Sequence, residues 1–142
     1  MKTWLLDTGP IVAYLDADDP SHALVGRALN DFTGEFVLTS AVVTESMYFV
    51  SNLHRGPEAL QEFLEVGQTR IVECCQPSDL KQAVRLMQKY RDTPMDFADA
   101  TLVLLGEALR LYNLCTLDRR GFSTYRTSTG KRFRLVLDDF EK

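Results

Sequence analysis

The sequence lacks the cysteine pattern and the long apolar runs that mark secreted and membrane proteins. Its three cysteines, Cys74, Cys75 and Cys115, show no CxxC spacing, which excludes a zinc site of that type and a disulfide framework. No window approaches the roughly 18 uncharged apolar residues of a membrane span. The apolar run before Asp7 is too short for a signal peptide. We therefore expect a cytoplasmic protein without membrane contacts.

The sequence also lacks an excess of positive charge. It has 16 Lys and Arg against 20 Asp and Glu, a formal net charge of -4, which argues against a simple basic nucleic-acid-binding domain. Hydrophobic residues make up 45% of the chain, enough for a real core. A length of 142 residues is the usual size of one domain, so we predict a single domain over residues 1–142.

Short apolar runs alternate with helical patterns along the chain. Strands are predicted over residues 3–6, 36–38, 70–73, 114–117 and 134–137. Helices are predicted from Ile11, after Asp19, from Ala41, over 57–66, after Ser78 and over 96–110, with Asp19, Ser40 and Ser78 as N-terminal caps. Strands this far apart in sequence imply crossover connections. We predict a three-layer α/β/α sandwich with a short, mainly parallel sheet.

Four acidic residues are predicted to meet at one edge of this sheet. Asp7 and Asp118 each directly follow an apolar strand, and ligand sites in open parallel sheets lie beyond the carboxyl ends of the strands. Glu45 and Asp99 sit in early turns of helices that enter from the same edge. The four carboxylates can therefore converge although they are far apart in sequence.

Carboxylates in such a cluster raise one another's pKa unless a cation compensates their charge. Oxygen ligands with no nearby His or Cys pair select Mg²⁺ or Mn²⁺ over zinc. Such an ion generates a nucleophile from water and neutralises charge on a phosphate, so phosphodiester hydrolysis is the predicted reaction. Asp96 shares a helix face with Asp99. We favour Asp99 as the ligand, with Asp96 as the second candidate or as a helix cap.

Four strings in the chain resemble the acidic motifs of PIN-domain ribonucleases. They are LLDT at residues 5–8, VTE at 43–45, PMDFADA at 94–100 and LCTLDRRGF at 114–122. Each string alone is weak, but the four occur in the right order at compatible spacing. The combination looks most like the single-domain toxins of VapC-type toxin–antitoxin pairs.

This resemblance implies an Mg²⁺-dependent endoribonuclease with Asp7, Glu45, Asp99 and Asp118 at the family's acidic positions. It also implies a homodimer silenced by a cognate antitoxin, and we place the dimer contact on the helices between residues 20 and 66. In relatives a hydroxyl occupies the position of Thr116, where it orients a carboxylate or a water. Thr8 could act in the same way beside Asp7.

A basic segment follows the last acid of the set. Residues 119–134 contain six cations and no acid, and Phe122, Tyr125 and Phe133 are interleaved with them. We predict that these cations border the acidic pocket and hold a single strand of RNA while an aromatic ring stacks on a base. The cations assigned to RNA are Arg119, Arg120, Arg126, Lys131 and Arg132.

Other functions remain open from the sequence. The rival from a different class is a catalytically silent PIN-like module that binds RNA or protein, against which the complete acidic set argues. A phosphatase of the haloacid-dehalogenase type would need a second acid two residues after Asp7, where the chain has Gly9. A two-component receiver domain would need paired acids after the first strand and a lysine after the last, and the sequence has neither.

Overall fold

A computed structural model describes residues 2–141. Five strands form one sheet, and they are β1 Thr3–Leu6, β2 Glu35–Thr39, β3 Thr69–Val72, β4 Asn113–Cys115 and β5 Arg134–Leu135. The strand order is β3-β2-β1-β4-β5, and each neighbouring pair is parallel. The predicted short parallel sheet is confirmed. β1 lies at its centre, so the residue that follows β1 reaches the middle of the carboxyl edge.

Helices connect the strands and pack on both faces of the sheet as a three-layer α/β/α sandwich. They are α1 Thr8–Leu15, α2 His22–Asp31, α3 Ser40–Val50, α4 Gly56–Val66, α5 Pro77–Lys89, α6 Phe97–Leu109 and α7 Arg119–Thr124, followed by the 3-10 helix Val136–Phe140. α1 packs against α2, α3 and α4, while α5 packs against α6. Within residues 2–141, none of these helices has the length and apolar character needed to cross a membrane.

The starts of three helices differ from the prediction. α1 begins at Thr8 rather than Ile11, because the Asp7 carboxylate caps it by accepting the Thr8 N–H. Asp19 does not cap α2, although its carboxylate accepts the Ser21 N–H in the preceding turn. Thr39 rather than Ser40 caps α3, since its hydroxyl accepts the Val42 N–H.

Three further differences lie in the second half of the chain. Gln76, not Ser78, is the cap of α5. β4 ends at Cys115, so Asp118 does not directly follow a strand, and a helix that the sequence did not predict, α7, begins after it. The last strand is also shorter than predicted, because the chain turns into the 3-10 helix at Val136.

The core lies around the central strands. Leu5 and Leu6 of β1, Leu38 of β2 and Leu114 of β4 are fully buried. Burying an aliphatic side chain of this size contributes about 1.5–3 kcal/mol, so these strands are held firmly at their carboxyl ends. The polar residues that follow them are therefore presented by well-buried strands.

Gly106 lets α6 approach the sheet closely. A Cβ atom there would lie 2.7 Å from Cε1 of Phe133 and 2.8 Å from the carbonyl oxygen of Leu111. We expect Gly106→Ala to lower the free energy of unfolding by about 1–3 kcal/mol through overpacking. Gly26→Ala in α2 is the matched control, because nothing lies within 4 Å of its Cβ position.

The control substitution is expected to raise the free energy of unfolding by about 0.5–1 kcal/mol, since alanine is the better helix former. Urea unfolding of both variants measures the two effects. If Gly106→Ala were as stable as the wild type, α6 could not pack as closely as described.

Candidate active site

Six acidic residues line one open cleft of about 470 Å³ beyond the carboxyl ends of β1 and β4. They are Asp7, Asp19, Glu45, Asp96, Asp99 and Asp118. The structure thus brings together the four acids that the sequence singled out, and the second candidate, Asp96, lies with them. Asp19 was missed as a cleft residue, because an acid before a proline also fits a helix cap.

Asp7 is fixed at the bottom of the cleft by three hydrogen bonds. Its backbone N–H donates to the carbonyl oxygen of Cys115 at 3.0 Å, which ties the end of β1 to the end of β4. Its carboxylate accepts the Thr8 N–H at 2.8 Å and the Thr116 hydroxyl at 2.7 Å. The side chain is only 6% exposed. Its orientation is therefore set by the backbone and by Thr116.

Thr116 connects the first acid to the last. Its hydroxyl donates to Oδ2 of Asp7 and accepts the backbone N–H of Asp118 at 3.0 Å. Asp118 in turn caps α7, because its Oδ1 accepts the Gly121 N–H at 3.0 Å. A Cβ atom at Gly121 would lie 2.4 Å from Oδ2 of Asp118, so only glycine leaves room for this carboxylate.

Asp96 and Asp99 hold each other at the start of α6. Oδ1 of Asp96 accepts the Asp99 N–H at 2.8 Å, and Oδ2 of Asp99 accepts the Asp96 N–H at 3.1 Å. This capping box satisfies the two donors reciprocally and leaves one oxygen of each carboxylate without a protein donor within residues 2–141. Asp96 is therefore a helix cap, as one reading of the sequence had it, and still lines the cleft.

Burial and mutual repulsion raise the pKa values in the cleft. Burial raises the pKa of Asp7 to about 6, against the hydrogen bonds from Thr116 and Thr8, and the charges of Glu45 and Asp96 add to the increase. The pKa of Asp99 rises to about 8 through burial and then through the charges of Asp7 and Asp96. The pKa of Glu45 is raised by burial and by Asp96. The site thus concentrates more negative charge than the protein alone accommodates.

Tyr125 connects the end of α7 to the segment just before α6. Its ring is fully buried, and its hydroxyl donates to the carbonyl oxygen of Pro94 at 2.7 Å, just before the cap of α6. Tyr125 is the first residue after α7, and its ring packs edge-on against Phe122. Tyr125 therefore ties α7 to the segment before α6, and these two helices carry Asp118 and Asp99 at their starts.

We expect Tyr125→Phe to keep this packing and to lose the hydrogen bond to Pro94. The free energy of unfolding should fall by about 1 kcal/mol, and Mn²⁺ affinity should fall about tenfold, as for supporting residues around metal ligands. Calorimetry measures both quantities. Tyr14→Phe is the control, since it removes an exposed hydrogen bond to Asn30 and should leave Mn²⁺ affinity unchanged. Equal Mn²⁺ affinity in the two variants would contradict the positioning role of Tyr125.

The predicted basic residues do not line the cleft. Arg119 pairs with Asp138 and Glu141, and Arg126 donates to backbone carbonyl groups of residues 123–125. Arg120, Lys131 and Arg132 are exposed and make no ion pair with residues 2–141. Their assignment to RNA stays a prediction.

The aromatic residues of the basic segment cannot stack on a base, and that expectation was wrong. Phe122 and Tyr125 are fully buried, and Phe133 is 7% exposed. They pack in one cluster, with Phe122 edge-on to both of the others. An aromatic residue that lies between cations in the sequence can belong to the core as well as to a binding surface. In the structure, these three residues belong to the core.

The acidic set suits a hard divalent cation by its chemistry. The cleft offers carboxylate oxygens and the hydroxyl of Thr8, a residue that is buried. Over the same residues, no three His, Cys, Asp or Glu side chains stand close enough together to coordinate one ion by themselves. Mg²⁺ commonly binds one or two carboxylates and keeps several waters, so it does not need three protein carboxylates in direct contact.

Comparisons with known proteins agree with this architecture. Ribonuclease VapC26 of Mycobacterium tuberculosis is 32% identical over 133 residues, covering 93% of this chain and 98% of the relative. The crystal structure of M. tuberculosis VapC20, described as a sarcin-ricin loop cleaving toxin, superimposes with a TM-score of 0.74 at 18% identity. That match covers 83% of this chain and 91% of VapC20.

FitAcB from Neisseria gonorrhoeae superimposes with a TM-score of 0.58 at 21% identity, covering 85% of this chain and 91% of the other. At such identities, these two structures show the fold alone. The family model of the PIN domain matches residues 4–127, which include every acid of the cleft. This match and the 32% identity to a ribonuclease over most of both chains show that the protein belongs to the PIN domain family.

Proposed function

We propose that the protein is a divalent-metal-dependent endoribonuclease that hydrolyses phosphodiester bonds of RNA in the acidic cleft. The observation that carries this proposal is the convergence of acids from β1, α3, α6 and the start of α7 in one cleft. The likeness to a relative named Ribonuclease VapC26 supports RNA as the substrate. Raised pKa values of Asp7 and Asp99 support a bound cation, because the acids repel one another without one.

Each acid has a distinct part in this proposal. Asp7 and Asp99 are the main ligands of Mg²⁺ or Mn²⁺, and Glu45 and Asp118 complete the set directly or through water. When bound, the cation supplies a nucleophile from water and neutralises charge on the phosphate. Thr116 holds the Asp7 carboxylate in place and fixes the backbone of Asp118. Thr8 and Asp96 are supporting residues at the edge of the same set.

In this proposal, the exposed cations after Asp118 bind the RNA backbone. Arg120, Lys131 and Arg132 lie on the surface and can contact phosphates away from the cleft. Arg119 and Arg126 are the weaker candidates among the five cations, because their guanidinium groups already have protein partners. A local basic surface of this kind is compatible with the net charge of -4, because six of the 20 acids lie in the cleft and none lies between residues 119 and 134.

We further propose that the protein is the toxin of a toxin–antitoxin pair, which the resemblance to VapC-type proteins implies. A structural neighbour, VapC20, is described as a toxin that cleaves the sarcin-ricin loop. The cognate antitoxin is the expected partner, and a homodimer is the expected assembly. Light scattering of the purified protein measures its molar mass in solution. A monomer at all concentrations would contradict the expected homodimer.

Cleavage of a mixed single-stranded RNA by purified protein tests the reaction. We expect cleavage with Mg²⁺ or Mn²⁺ and none with a chelator. Cleavage that persists in the chelator would contradict metal dependence, while Mn²⁺ binding without cleavage of any RNA would favour the silent binding module. The mapped ends of the products then define which sequences are cut.

A further inference from the structure

Two buried threonines connect the helices that carry Glu45 and Asp99. Thr39 is the last residue of β2 and is 1% exposed, and Thr101 in α6 is 3% exposed. Their Oγ1 atoms lie 2.9 Å apart, which is hydrogen-bond distance. A polar side chain inside the core costs free energy unless a protein partner replaces the water that it loses. In this structure, each of the two threonines is such a partner for the other.

The direction of this hydrogen bond follows from the other bonds of the two hydroxyl groups. Each hydroxyl has one proton to donate. The Thr101 hydroxyl donates its proton to the carbonyl oxygen of Ala98 at 2.7 Å, so Thr39 must be the donor in the bond between the threonines. Oγ1 of Thr39 in turn accepts the Val42 N–H at 3.3 Å. The three bonds form one continuous chain from the first turn of α3 to the first turn of α6.

Both ends of this chain lie close in sequence to acids of the cleft. Ala98 directly precedes Asp99, and Asp96 caps the same helix. Val42 lies three residues before Glu45 on α3, which is about one helical turn. The chain of hydrogen bonds therefore relates the start of α3 to the start of α6, and these are the parts of the two helices that carry the acids.

Thr39 also lies at the same edge of the sheet as Asp7. Leu5 of β1 pairs with Val37 of β2, and Asp7 and Thr39 each lie two residues beyond this pair. The bond from Thr39 to Thr101 is therefore anchored on the central strands, next to the strand that presents Asp7. Through this bond, α6 is held to the same edge.

Packing alone does not fill the space around this hydrogen bond. A cavity of about 120 Å³ is lined by Thr39 and Thr101, with Val72, Leu104 and Leu105 among its other lining residues. Side chains that border a gap restrain one another less than closely packed ones do. A water molecule in the cavity could satisfy a single hydroxyl, but it would not replace the direct link. The bond therefore restrains α3 and α6 at a point where packing is incomplete.

We propose that Thr101 is a positioning residue of the acidic cleft. Through Thr39 it fixes the start of α3, which carries Glu45, against the start of α6, which carries Asp99. Acids on separate elements bind one cation well only when supporting contacts hold their spacing. The inference rests on the proposed function, because it concerns the cation site, and it adds a residue that lies outside the lining of the cleft.

Calorimetric titration of Mn²⁺ into the metal-free protein tests this role with three single variants. Thr101→Val removes the hydroxyl and keeps the branched shape of the side chain, whereas Thr101→Ser keeps the hydroxyl. Thr127→Val is the matched control. Thr127 is also a buried threonine, its Oγ1 accepts the Lys131 N–H at 3.0 Å, and it does not line the cleft.

We expect Thr101→Val to weaken Mn²⁺ binding about tenfold, as for supporting residues around metal ligands. Thr101→Ser and Thr127→Val should bind Mn²⁺ as tightly as the wild type. A purely structural role would lower the urea midpoint of both valine variants and leave the Mn²⁺ affinity of the folded protein unchanged. Wild-type affinity in Thr101→Val would overturn the proposal, and so would an equal loss in Thr101→Ser or in Thr127→Val.

A double-mutant cycle separates the link from independent effects of the two threonines. Thr39→Val removes the other partner of the bond. The double variant, with Thr39→Val and Thr101→Val, should bind Mn²⁺ about as weakly as Thr39→Val alone, because the same bond can be lost only once. Losses of affinity that multiply in the double variant would show that the two residues act separately, which would also overturn the proposal.

The proposed function can fail independently of this inference. A wild-type protein that binds Mn²⁺ but cleaves no RNA would refute the ribonuclease proposal alone, and the comparison of the threonine variants would still stand. A wild-type protein that binds no Mn²⁺ would refute both proposals.

Discussion

Asp99→Asn is expected to reduce metal-dependent RNA cleavage by at least about a hundredfold. The substitution keeps the shape of the side chain and removes its charge, so the stabilisation of a cation worth several kcal/mol in the transition state is lost. Asn can still accept the Asp96 N–H through its side-chain oxygen, so the start of α6 should stay intact. Initial rates with Mn²⁺ on one mapped RNA measure the effect.

Asp19→Asn is the matched control for this experiment. Asp19 lines the same cleft, but its carboxylate accepts the Ser21 N–H and it lies outside the four acidic motifs. Its substitution should change the rate little. If both variants lost activity equally, the total charge of the cleft rather than the assigned ligands would govern cleavage.

The second large effect is on stability in the absence of metal. Burial raises the pKa of Asp7 from 3.8 to about 6 in the folded protein, so the folded state binds this proton more tightly than the unfolded chain. Proton binding by Asp7 makes its full contribution to the free energy of unfolding below pH 3.8, and this contribution is lost as the pH rises to about 6. The loss totals about 3 kcal/mol, of which about half falls between pH 5 and 8. Asp99, with a pKa of about 8, extends the loss to higher pH.

Urea unfolding in chelator at pH 5 and pH 8 measures this dependence. The free energy of unfolding of the wild type should fall more steeply with pH than that of Asp7→Asn, which lacks the titrating group. At pH 8, Mn²⁺ at a hundred times its dissociation constant should restore about 2.7 kcal/mol to the wild type. Parallel pH dependences of the two proteins would show that Asp7 is not held in a repulsive, buried setting.

Much of the fold followed from the sequence because strand and helix patterns differ in period. The run from Thr3 to Leu6 was predicted with its observed bounds, and the ends of the other strands differ from the prediction by at most two residues. Asp7 could be placed because a polar residue directly after a buried central strand must lie at the carboxyl edge. Asp118 was placed on the same ground, although β4 ends at Cys115, and Glu45 and Asp99 were placed because they lie in early turns of helices that enter from the same edge.

Other features could not be predicted because they depend on tertiary contacts. α7 has six residues and no clear apolar periodicity, and it exists because Asp118 caps it and Phe122 packs in the core. The hydrogen bond from Tyr125 to Pro94 joins residues 31 positions apart, which local patterns do not reveal. The neutralisation of Arg119 likewise depends on Asp138 and Glu141, which the 3-10 helix and the chain after it bring close.

Calorimetric titration of Mn²⁺ into the metal-free protein tests the central claim most directly, because it needs no knowledge of the RNA. The wild type is compared with the Asp7→Asn, Asp99→Asn double variant and with Asp31→Asn, an exposed acid outside the cleft. We predict saturable binding to the wild type and to Asp31→Asn, and none to the double variant. Equal binding by all three proteins, or no binding by the wild type, would contradict a metal site in the acidic cleft.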